Sequence, residues 1–352
     1  MTDDVLITAE RGVGRLRLNR PGAIHALTTG MCEAMSEALL RWRSDPGIQA
    51  VVIDHFEGRG FCAGGDVVML AKSGAGDLHK AREFFFAEYR LNHLLFTYDK
   101  PTVAIMDGIT MGGGVGIALP CTYRVATANT RLAMPETSIG LFPDVGGGWY
   151  LPRLPGRIGQ YMALTGTRLD GGDCAYFGLA THFVAAPGLE ELIERIHQAP
   201  DRVMGTLGAA AETAPDSKLS ENLAAINRMF ASDSLEKILD SLEADDTEWA
   251  EHELVTLRTK SPLSCKVSLR LLAEGAERAS FADEMRAEYA LAGRVVQTHD
   301  FRECVRALLI DKDNAPDWDP PIPEGVNDEM LDDLFAPLPK AEQWTPFPET
   351  GE

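Results

Sequence analysis

Two spacings of apolar residues alternate along the first half of the chain. Short β-branched or apolar runs predict strands over residues 5–10, 13–19, 50–55 and 102–106. Apolar residues that recur every three or four positions predict helices over residues 29–43, after a capping Thr28, and over residues 82–98. Strand, turn and helix in repeated order are typical of a largely parallel sheet, so the pattern indicates an α/β fold.

The second half of the chain is mostly helical in its spacing. Helices are predicted over residues 156–166, 170–178, 261–274, 281–297 and 301–309, with a short strand over 181–185 and a linker over 200–216. From residue 313 prolines dominate, which predicts an extended tail that is wrapped on the body or partly disordered. The predicted organisation is a core over residues 1–188, a helical region over 189–312 and a Pro-rich tail over 313–352.

The charge balance limits the classes of partner. The 352 residues include 53 Asp and Glu against 33 Lys and Arg, a formal net charge of −20. Nucleic acids and anionic membranes need concentrated basic residues, so we expect neither as a partner. An anionic small molecule stays compatible with this charge, because salt screens surface charges beyond about 8 Å. The sequence leaves a homo-oligomer open.

Targeting features and cysteines point to a protein of the cytoplasm. No apolar run approaches the ~20 residues of a membrane span, and the acidic N-terminus resembles neither a signal peptide nor a transit peptide. The six cysteines are scattered, without a CxxC pair or the spacing of a zinc site. We therefore predict reduced thiols, no metal site and a cytoplasmic location.

Two glycine-rich turns are candidates for binding an oxygen anion. Gly112, Gly113 and Gly114 lie between a predicted strand and a small apolar helix, and the segment 63–66 follows another strand. The first N–H groups of a helix have no internal partner and carry partial positive charge, which suits a developing oxyanion. A glycine run alone is explained equally well by a tight turn or by close helix packing. Two such turns favour the oxyanion interpretation, because an oxyanion hole usually takes donors from different segments.

Two carboxylates follow, Glu136 and Asp144. Each has a plainer explanation, because Glu136 after Pro135 suits the first turn of a helix and Asp144 suits an N-cap. Sequence spacing cannot place the two acids on one helix face, since Gly140 and Pro143 lie between them and would interrupt a helix. Other catalytic signatures are missing, namely GxSxG, HExxH and the phosphate-binding GxxxxGK[ST].

Taken together, four segments resemble the crotonase (enoyl-CoA hydratase/isomerase) superfamily. They are LNRPGAIHALT from Leu18, GRGFCAGGDV from Gly58, MDGITMGGGVGIA from Met106 and AMPETSIGLFPDVGGGWYLPRLPG from Ala133. With a C-terminal block from Lys260, the resemblance extends over nearly the whole chain. It implies a spiral of ββα units that holds a CoA site within residues 1–188, with a helical C-terminal part.

The resemblance also implies roles for individual residues. The N–H groups of Gly65 and Gly113 would hold the thioester oxygen. The acyl-CoA substrate would contact a set of residues from three turns: Ala23, Ile24, Ala63, Gly64, Asp66, Gly112 and Gly116. Coenzyme A is part of the substrate, so no separate cofactor is expected.

The position of Gly116 favours one branch of the superfamily. The hydratases that resemble this chain carry a catalytic glutamate at the position of Gly116. A hydrolase branch instead resembles this chain in having glycine at that position, with acids at the positions of Glu136 and Asp144. The implied reaction is hydrolysis of a short 3-hydroxyacyl-CoA thioester, best 3-hydroxyisobutyryl-CoA in valine breakdown. Glu136 would be nucleophile or general base, and Asp144 would bind the 3-hydroxyl. The alternatives are an enoyl-CoA hydratase or isomerase, and a non-catalytic acyl-CoA-binding protein.

Overall fold

The computed structural model describes residues 3–348, and two β-sheets form its centre. The strands are β1 (Val5–Glu10), β2 (Val13–Leu18), β3 (Ala50–His55), β4 (Gly60–Cys62), β5 (Thr102–Met106), β6 (Ile109–Met111), β7 (Tyr123–Ala126), β8 (Arg131–Ala133) and β9 (His182–Phe183). The larger sheet has the order β1-β2-β3-β5-β7-β9, and the smaller sheet has the order β4-β6-β8. Only β1 and β2 pair antiparallel among these strands, so the mainly parallel sheet predicted from the sequence is confirmed.

Helices surround the sheets and make up most of the second half. They are α1 (Thr29–Ser44), α2 (Val67–Gly74), α3 (His79–Phe96), α4 (Gly113–Ala118), α5 (Gly147–Tyr150), α6 (Ile158–Thr165), α7 (Gly171–Tyr176), α8 (Leu189–Gln198), α9 (Val203–Ala210), α10 (Leu223–Met229), α11 (Leu235–Glu243), α12 (Glu248–Arg258), α13 (Pro262–Ala276), α14 (Phe281–Val295), α15 (His299–Val305) and α16 (Asp328–Phe335). The Thr28 side chain accepts from the Met31 N–H, which is the predicted N-cap of α1.

Both faces of the larger sheet are buried. Along β3, Val51 and Ile53 face the main core, whereas Ala50 and Val52 face a smaller cluster that includes side chains of α8 and α9. Successive side chains of a strand point to opposite faces, and a parallel sheet usually needs helices on both. Helices α1, α3, α13 and α14 contribute to the main core.

The segment after α8 and the C-terminal tail complete the body. Residues 200–216 are not a linker without structure, because they contain α9, whose Leu207 is fully buried against the sheet. Part of the tail wraps on the body: Trp344 is fully buried and its Nε1 donates to the Phe86 carbonyl of α3. Burial of this indole helps to hold the Pro-rich segment on the body, together with hydrogen bonds from Arg90 to Thr345. Residues 1–2 and 349–352 of the predicted core and tail lie outside the described residues.

Within residues 3–348, no helix combines the length and the apolar composition that a membrane crossing requires.

Candidate active site

The two glycine turns predicted from the sequence lie side by side. Strands β4 and β6 are parallel neighbours, so the turns that follow them leave the same edge of the smaller sheet. A Cβ placed on Gly64 would lie 3.4 Å from the Gly113 nitrogen. Gly64 and Gly112 have φ of +105° and +49°, which only glycine adopts at low cost. The close approach of two backbones therefore needs glycine on both sides.

The N–H groups of Gly65 and Gly113 are available to a ligand. In residues 3–348, neither group donates a hydrogen bond to another atom of the chain. Gly113 is the first residue of α4, and the first N–H groups of a helix have no acceptor within it. Both glycines line the same cavity, so two residues with unused donors, from separate turns, contribute to its wall.

Glu136 lies beside these donors. It begins a short 3-10 helix, Glu136–Ile139, soon after β8, which is the parallel neighbour of β6. The side chain is buried, and its Oε1 lies 3.1 Å from a Cβ placed on Gly112. Its Oε2 has no hydrogen-bond partner in the described part of the chain. Glu136 does lie in the first turn of a helix, as its sequence context suggested. A buried carboxylate oxygen without a partner is also costly, which indicates a functional role in addition.

Residues of the C-terminal half hold the 3-10 helix that carries Glu136. The Ser261 N–H donates to the Thr137 carbonyl over 3.2 Å, and Lys260 Nζ donates to Ser138 Oγ over 2.8 Å. The Thr137 hydroxyl donates to the Leu164 carbonyl over 3.0 Å. These contacts join positions far apart in sequence, so the orientation of Glu136 depends on the tertiary structure.

Asp144 reaches the cavity from the next turn. It is buried, and the Tyr89 hydroxyl donates to its Oδ2 over 2.8 Å. The following Val145 has φ of +53°, a conformation that is strained for a β-branched residue. Strain of this kind concentrates at functional sites. Asp144 is therefore not the N-cap that its sequence context also suggested, because α5 begins at Gly147 and its N-cap is Gly146.

A third acid, Glu88, was not predicted. It lies on α3, is 2% exposed and lines the cavity, and its Oε1 has no partner among the described residues. A Cβ on Gly113 would collide with that oxygen. The sequence contains a signal for Glu88, because it lies four residues from both Phe84 and Asn92 on the buried stripe of α3. An acid at a core position of a helix is the pattern to look for.

Glycines, apolar side chains and acids line a small cavity of about 70 Å³. It is lined by Ala63, Gly64, Gly65, Val67, Leu70, Phe84, Phe85, Glu88, Gly112, Gly113, Pro135, Glu136, Ile139, Leu141 and Asp144. The structure thus brings together the two predicted donors, the two predicted acids and three of the predicted substrate-contacting residues, Ala63, Gly64 and Gly112. A largely apolar cavity with a few convergent polar groups is typical of a small-molecule site.

Three acids lie close together in this cavity, and both burial and mutual repulsion raise pKa values among them. Burial raises the pKa of Glu136 well above its usual range, and the charge of Asp144 raises it further. The pKa of Glu88 is also well above its usual range, through burial and then through the charges of Asp144 and Glu136. Burial raises the pKa of Asp144 to about 6, against the opposing hydrogen bond from Tyr89. All three acids therefore hold their protons more strongly than exposed carboxylic acids do.

The remaining predicted contact residues lie outside the cavity lining. Asp66 caps α2, since its side chain accepts from the Met69 N–H over 3.1 Å. Ala23 and Ile24 form a turn beside the glycine loop, and the Ile24 carbonyl accepts from the Ala63 N–H over 2.9 Å. Gly116 is buried below the cavity, where a Cβ would collide with Val145. Its place argues against the predicted substrate contact, and glycine there makes room for the turn that carries Asp144.

The part of the chain that the structure describes contains no set of side chains arranged as metal ligands. No group of three or more His, Cys, Asp or Glu residues there is placed to hold a metal ion. All six cysteines are buried and unpaired.

Comparison with known proteins gives the same family from the sequence and from the structure. Residues 13–335 match the family model for enoyl-CoA hydratase/isomerase. A relative in Xenopus tropicalis named 3-hydroxyisobutyryl-CoA hydrolase, mitochondrial, is 42% identical over 345 residues, covering 95% of this chain and 89% of the relative. The protein of the same name in Homo sapiens is 38% identical over 345 residues, covering 96% and 89%.

Solved structures of related proteins have the same fold. A carnitinyl-CoA dehydratase from Mycobacterium thermoresistibile superimposes with a TM-score of 0.94 at 38% identity, covering 99% of this chain and 100% of the other. An enoyl-CoA hydratase from Rhodobacter sphaeroides 2.4.1 gives a TM-score of 0.91 at 39% identity, covering 97% and 100%. The expected crotonase-like α/β fold is confirmed, and the chain belongs to the enoyl-CoA hydratase/isomerase (crotonase) superfamily.

Proposed function

We propose that this chain hydrolyses the thioester of a short 3-hydroxyacyl-CoA, best 3-hydroxyisobutyryl-CoA, to the free acid and CoA, a step of valine catabolism. The observation that carries this proposal is that two residues with unused N–H groups line one small cavity together with Glu136 and Asp144. Relatives that carry the name of this hydrolase, at 38–42% identity over most of the chain, support it.

The chemistry follows from the positions of the donors and of Glu136. The N–H groups of Gly65 and Gly113 bind the thioester oxygen and stabilise the oxyanion that forms when the carbonyl is attacked. Glu136 acts in one of two ways. It attacks the carbonyl carbon to form an anhydride that water then cleaves, or it removes a proton from the attacking water. In both cases the C–S bond breaks, the sulfur takes a proton and the acid is released.

The other two acids select and orient the substrate. Asp144, whose pKa of about 6 leaves it ionised at neutral pH, accepts a hydrogen bond from the 3-hydroxyl group. Burial raises the pKa of Glu88 and so favours its protonated form, which donates a hydrogen bond to a substrate oxygen near Gly113. The walls formed by Phe84, Phe85 and Leu141 leave little room beyond a short acyl chain.

A panel of CoA esters tests the proposal. We expect rapid thiol release, measured with a disulfide dye, from 3-hydroxyisobutyryl-CoA and 3-hydroxypropionyl-CoA, and little from crotonyl-CoA. A protein that binds these esters and releases no thiol from any of them would instead be a non-catalytic acyl-CoA-binding protein.

Replacing Asp144 by Asn should reduce selectivity for the hydroxyl group. We expect kcat/KM for 3-hydroxyisobutyryl-CoA to fall about a hundredfold, because a site built to bind a hydroxyl loses that interaction. For isobutyryl-CoA, which has no hydroxyl, the change should be far smaller. An equal loss for both esters would contradict the role of Asp144 in reading the hydroxyl.

The activity should rise with pH over a range that lies above the one expected for an ordinary glutamate. Glu136 must be ionised to attack or to accept a proton, and its raised pKa delays ionisation relative to an ordinary glutamate. Asp144→Asn removes a negative neighbour, so the pKa of Glu136 falls and the rise moves to lower pH. The measurement is kcat/KM for isobutyryl-CoA against pH in both proteins. An unmoved profile would show that Asp144 does not act on Glu136.

Hydration of an enoyl-CoA is the second candidate function. It is favoured by the pair Glu88 and Glu136 in one cavity, and the two superimposed structures are titled as a dehydratase and a hydratase. Against it stands Gly116, where the packing of Val145 excludes the glutamate of the hydratases. Loss of enoyl absorbance from crotonyl-CoA without thiol release would favour hydration.

The cellular location and the oligomeric state stay predictions. The sequence-based expectation is a cytoplasmic protein, whereas the relatives are named as mitochondrial. Cell fractionation tests the first, and light scattering of the purified protein tests the homo-oligomer.

A further inference from the structure

Two buried acids outside the cavity lining have no place in the reaction described above. Glu284 and Glu288 lie one turn apart on α14, and both are 0% exposed. Glu284 pairs with Arg278, whose Nε lies 3.4 Å from Glu284 Oε2. Glu288 has no basic partner among residues 3–348 and uses its carboxyl group differently.

Glu288 binds the backbone that follows Asp144. Its Oε2 accepts from the Gly146 N–H over 2.8 Å and its Oε1 accepts from the Gly148 N–H over 3.2 Å. The acid and the two amides are 142 and 140 positions apart in the chain. One carboxyl group therefore connects α14 to the N-cap residue and to the second residue of α5, directly after the turn that carries Asp144.

The backbone of this turn is strained, so hydrogen bonds from other elements are needed to hold it. Val145 has φ of +53° and Gly146 has φ of +92°, two consecutive left-handed residues directly after Asp144. A strained backbone persists only where surrounding contacts hold it. Tyr89 holds the Asp144 side chain on one side, and Glu288 holds the backbone on the other.

We infer that Glu288 is a positioning residue that acts through Asp144 and so determines selectivity for 3-hydroxyacyl substrates. The inference rests on the proposed function. Glu288 does not line the cavity, so its effect on the substrate passes through the position of the Asp144 carboxylate. Small displacements of a binding group are sufficient to reduce activity strongly.

Glu288→Gln tests this inference with little change of shape. An amide has one acceptor oxygen, so only one of the two N–H groups keeps its partner and the NH2 group faces the other donor. We expect kcat/KM for 3-hydroxyisobutyryl-CoA to fall about tenfold to a hundredfold, with kcat/KM for isobutyryl-CoA far less affected. Glu288→Asp keeps the carboxyl group but shortens its reach, and it should show the same loss of selectivity.

A double-mutant cycle separates positioning from general damage. If Glu288 acts through Asp144, adding Glu288→Gln to Asp144→Asn should change kcat/KM by less than about twofold, since the shared effect is already lost. A purely structural role would reduce the activity of both backgrounds equally. Glu284→Gln is the matched control, because Glu284 lies one turn away on the same helix and pairs with Arg278 instead of the backbone after Asp144, and it should keep wild-type selectivity.

The outcomes are distinct from failure of the proposed function. A wild-type protein that releases no thiol from any ester overturns the proposed function itself. With an active wild type, unchanged selectivity in Glu288→Gln overturns the inference, and so does equal loss for the two esters. Failure of both Glu288 variants to fold, judged by circular dichroism, would show that Glu288 serves the fold as a whole and would also overturn it.

Discussion

Replacing Glu136 by Gln is expected to lower CoA release by at least about a thousandfold, because an amide neither attacks the carbonyl nor accepts a proton from water. The side chain keeps its size, so the cavity and the two N–H donors stay in place. Thiol release from 3-hydroxyisobutyryl-CoA, followed with a disulfide dye, measures the loss. A variant with near wild-type turnover would remove Glu136 from the mechanism.

Folding of the Glu136→Gln protein is the control for this result. Glu136 is buried with an unpartnered oxygen and two acidic neighbours, so its removal relieves unfavourable interactions. The melting temperature should therefore equal or exceed that of the wild type. Loss of activity together with a lower melting temperature would indicate damage to the fold and would not support a catalytic role.

Adding a methyl group at Gly113 should produce the second large effect. In Gly113→Ala the new Cβ collides with Glu88 Oε1 and lies 3.2 Å from Leu27 Cδ1. The Glu88 carboxyl group must then move, and the new methyl group crowds the Gly64 backbone beside the two donors, so their alignment on one oxygen is disturbed. Loss of one oxyanion donor costs about 100-fold to 1000-fold in kcat in known enzymes, so we expect a decrease of that size.

A substrate-binding measurement and a second glycine make this test specific. Because the donors act mainly on the transition state, affinity for a CoA ester should change much less than kcat. Gly30→Ala is the matched control, since nothing lies within 4 Å of a Cβ there and the residue lies in the first turn of α1. The control should keep full activity. A fully active Gly113→Ala protein would contradict the oxyanion hole.

Elements with a strong local pattern could be predicted from the sequence. The hairpin of β1 and β2, the strands β3 and β5, and α1 with its Thr28 cap agree with the predictions within one residue at their ends. Each is long enough for its apolar spacing to be recognised. The smaller sheet was missed because its strands have three residues each, too few to show a period of two. The helix α9 was missed because its own residues are small or apolar on every face, so that no apolar stripe with helical spacing can be recognised.

The candidate site also contains residues that could be predicted from the sequence and residues that could not. The glycine turns and Glu136 were identified from motifs, because the residue types themselves carry the chemistry. Glu88 was not identified, although it occupies a core position of α3, because a single acid in a helix is usually solvent-exposed. No sequence pattern connects Glu288 with Gly146, since these residues are 142 positions apart.

The sequence by itself determined the α/β class, the strands of the larger sheet that have clear apolar runs, and the turns able to present bare N–H groups. Such features depend on residues close together in the chain, where spacing and backbone preferences act directly. Only the tertiary structure decided which acids face one cavity, how strongly they perturb one another's pKa, and what holds Asp144 in place. Those properties depend on burial and on distances between remote segments, which become defined only when the sheets and the C-terminal helices pack together.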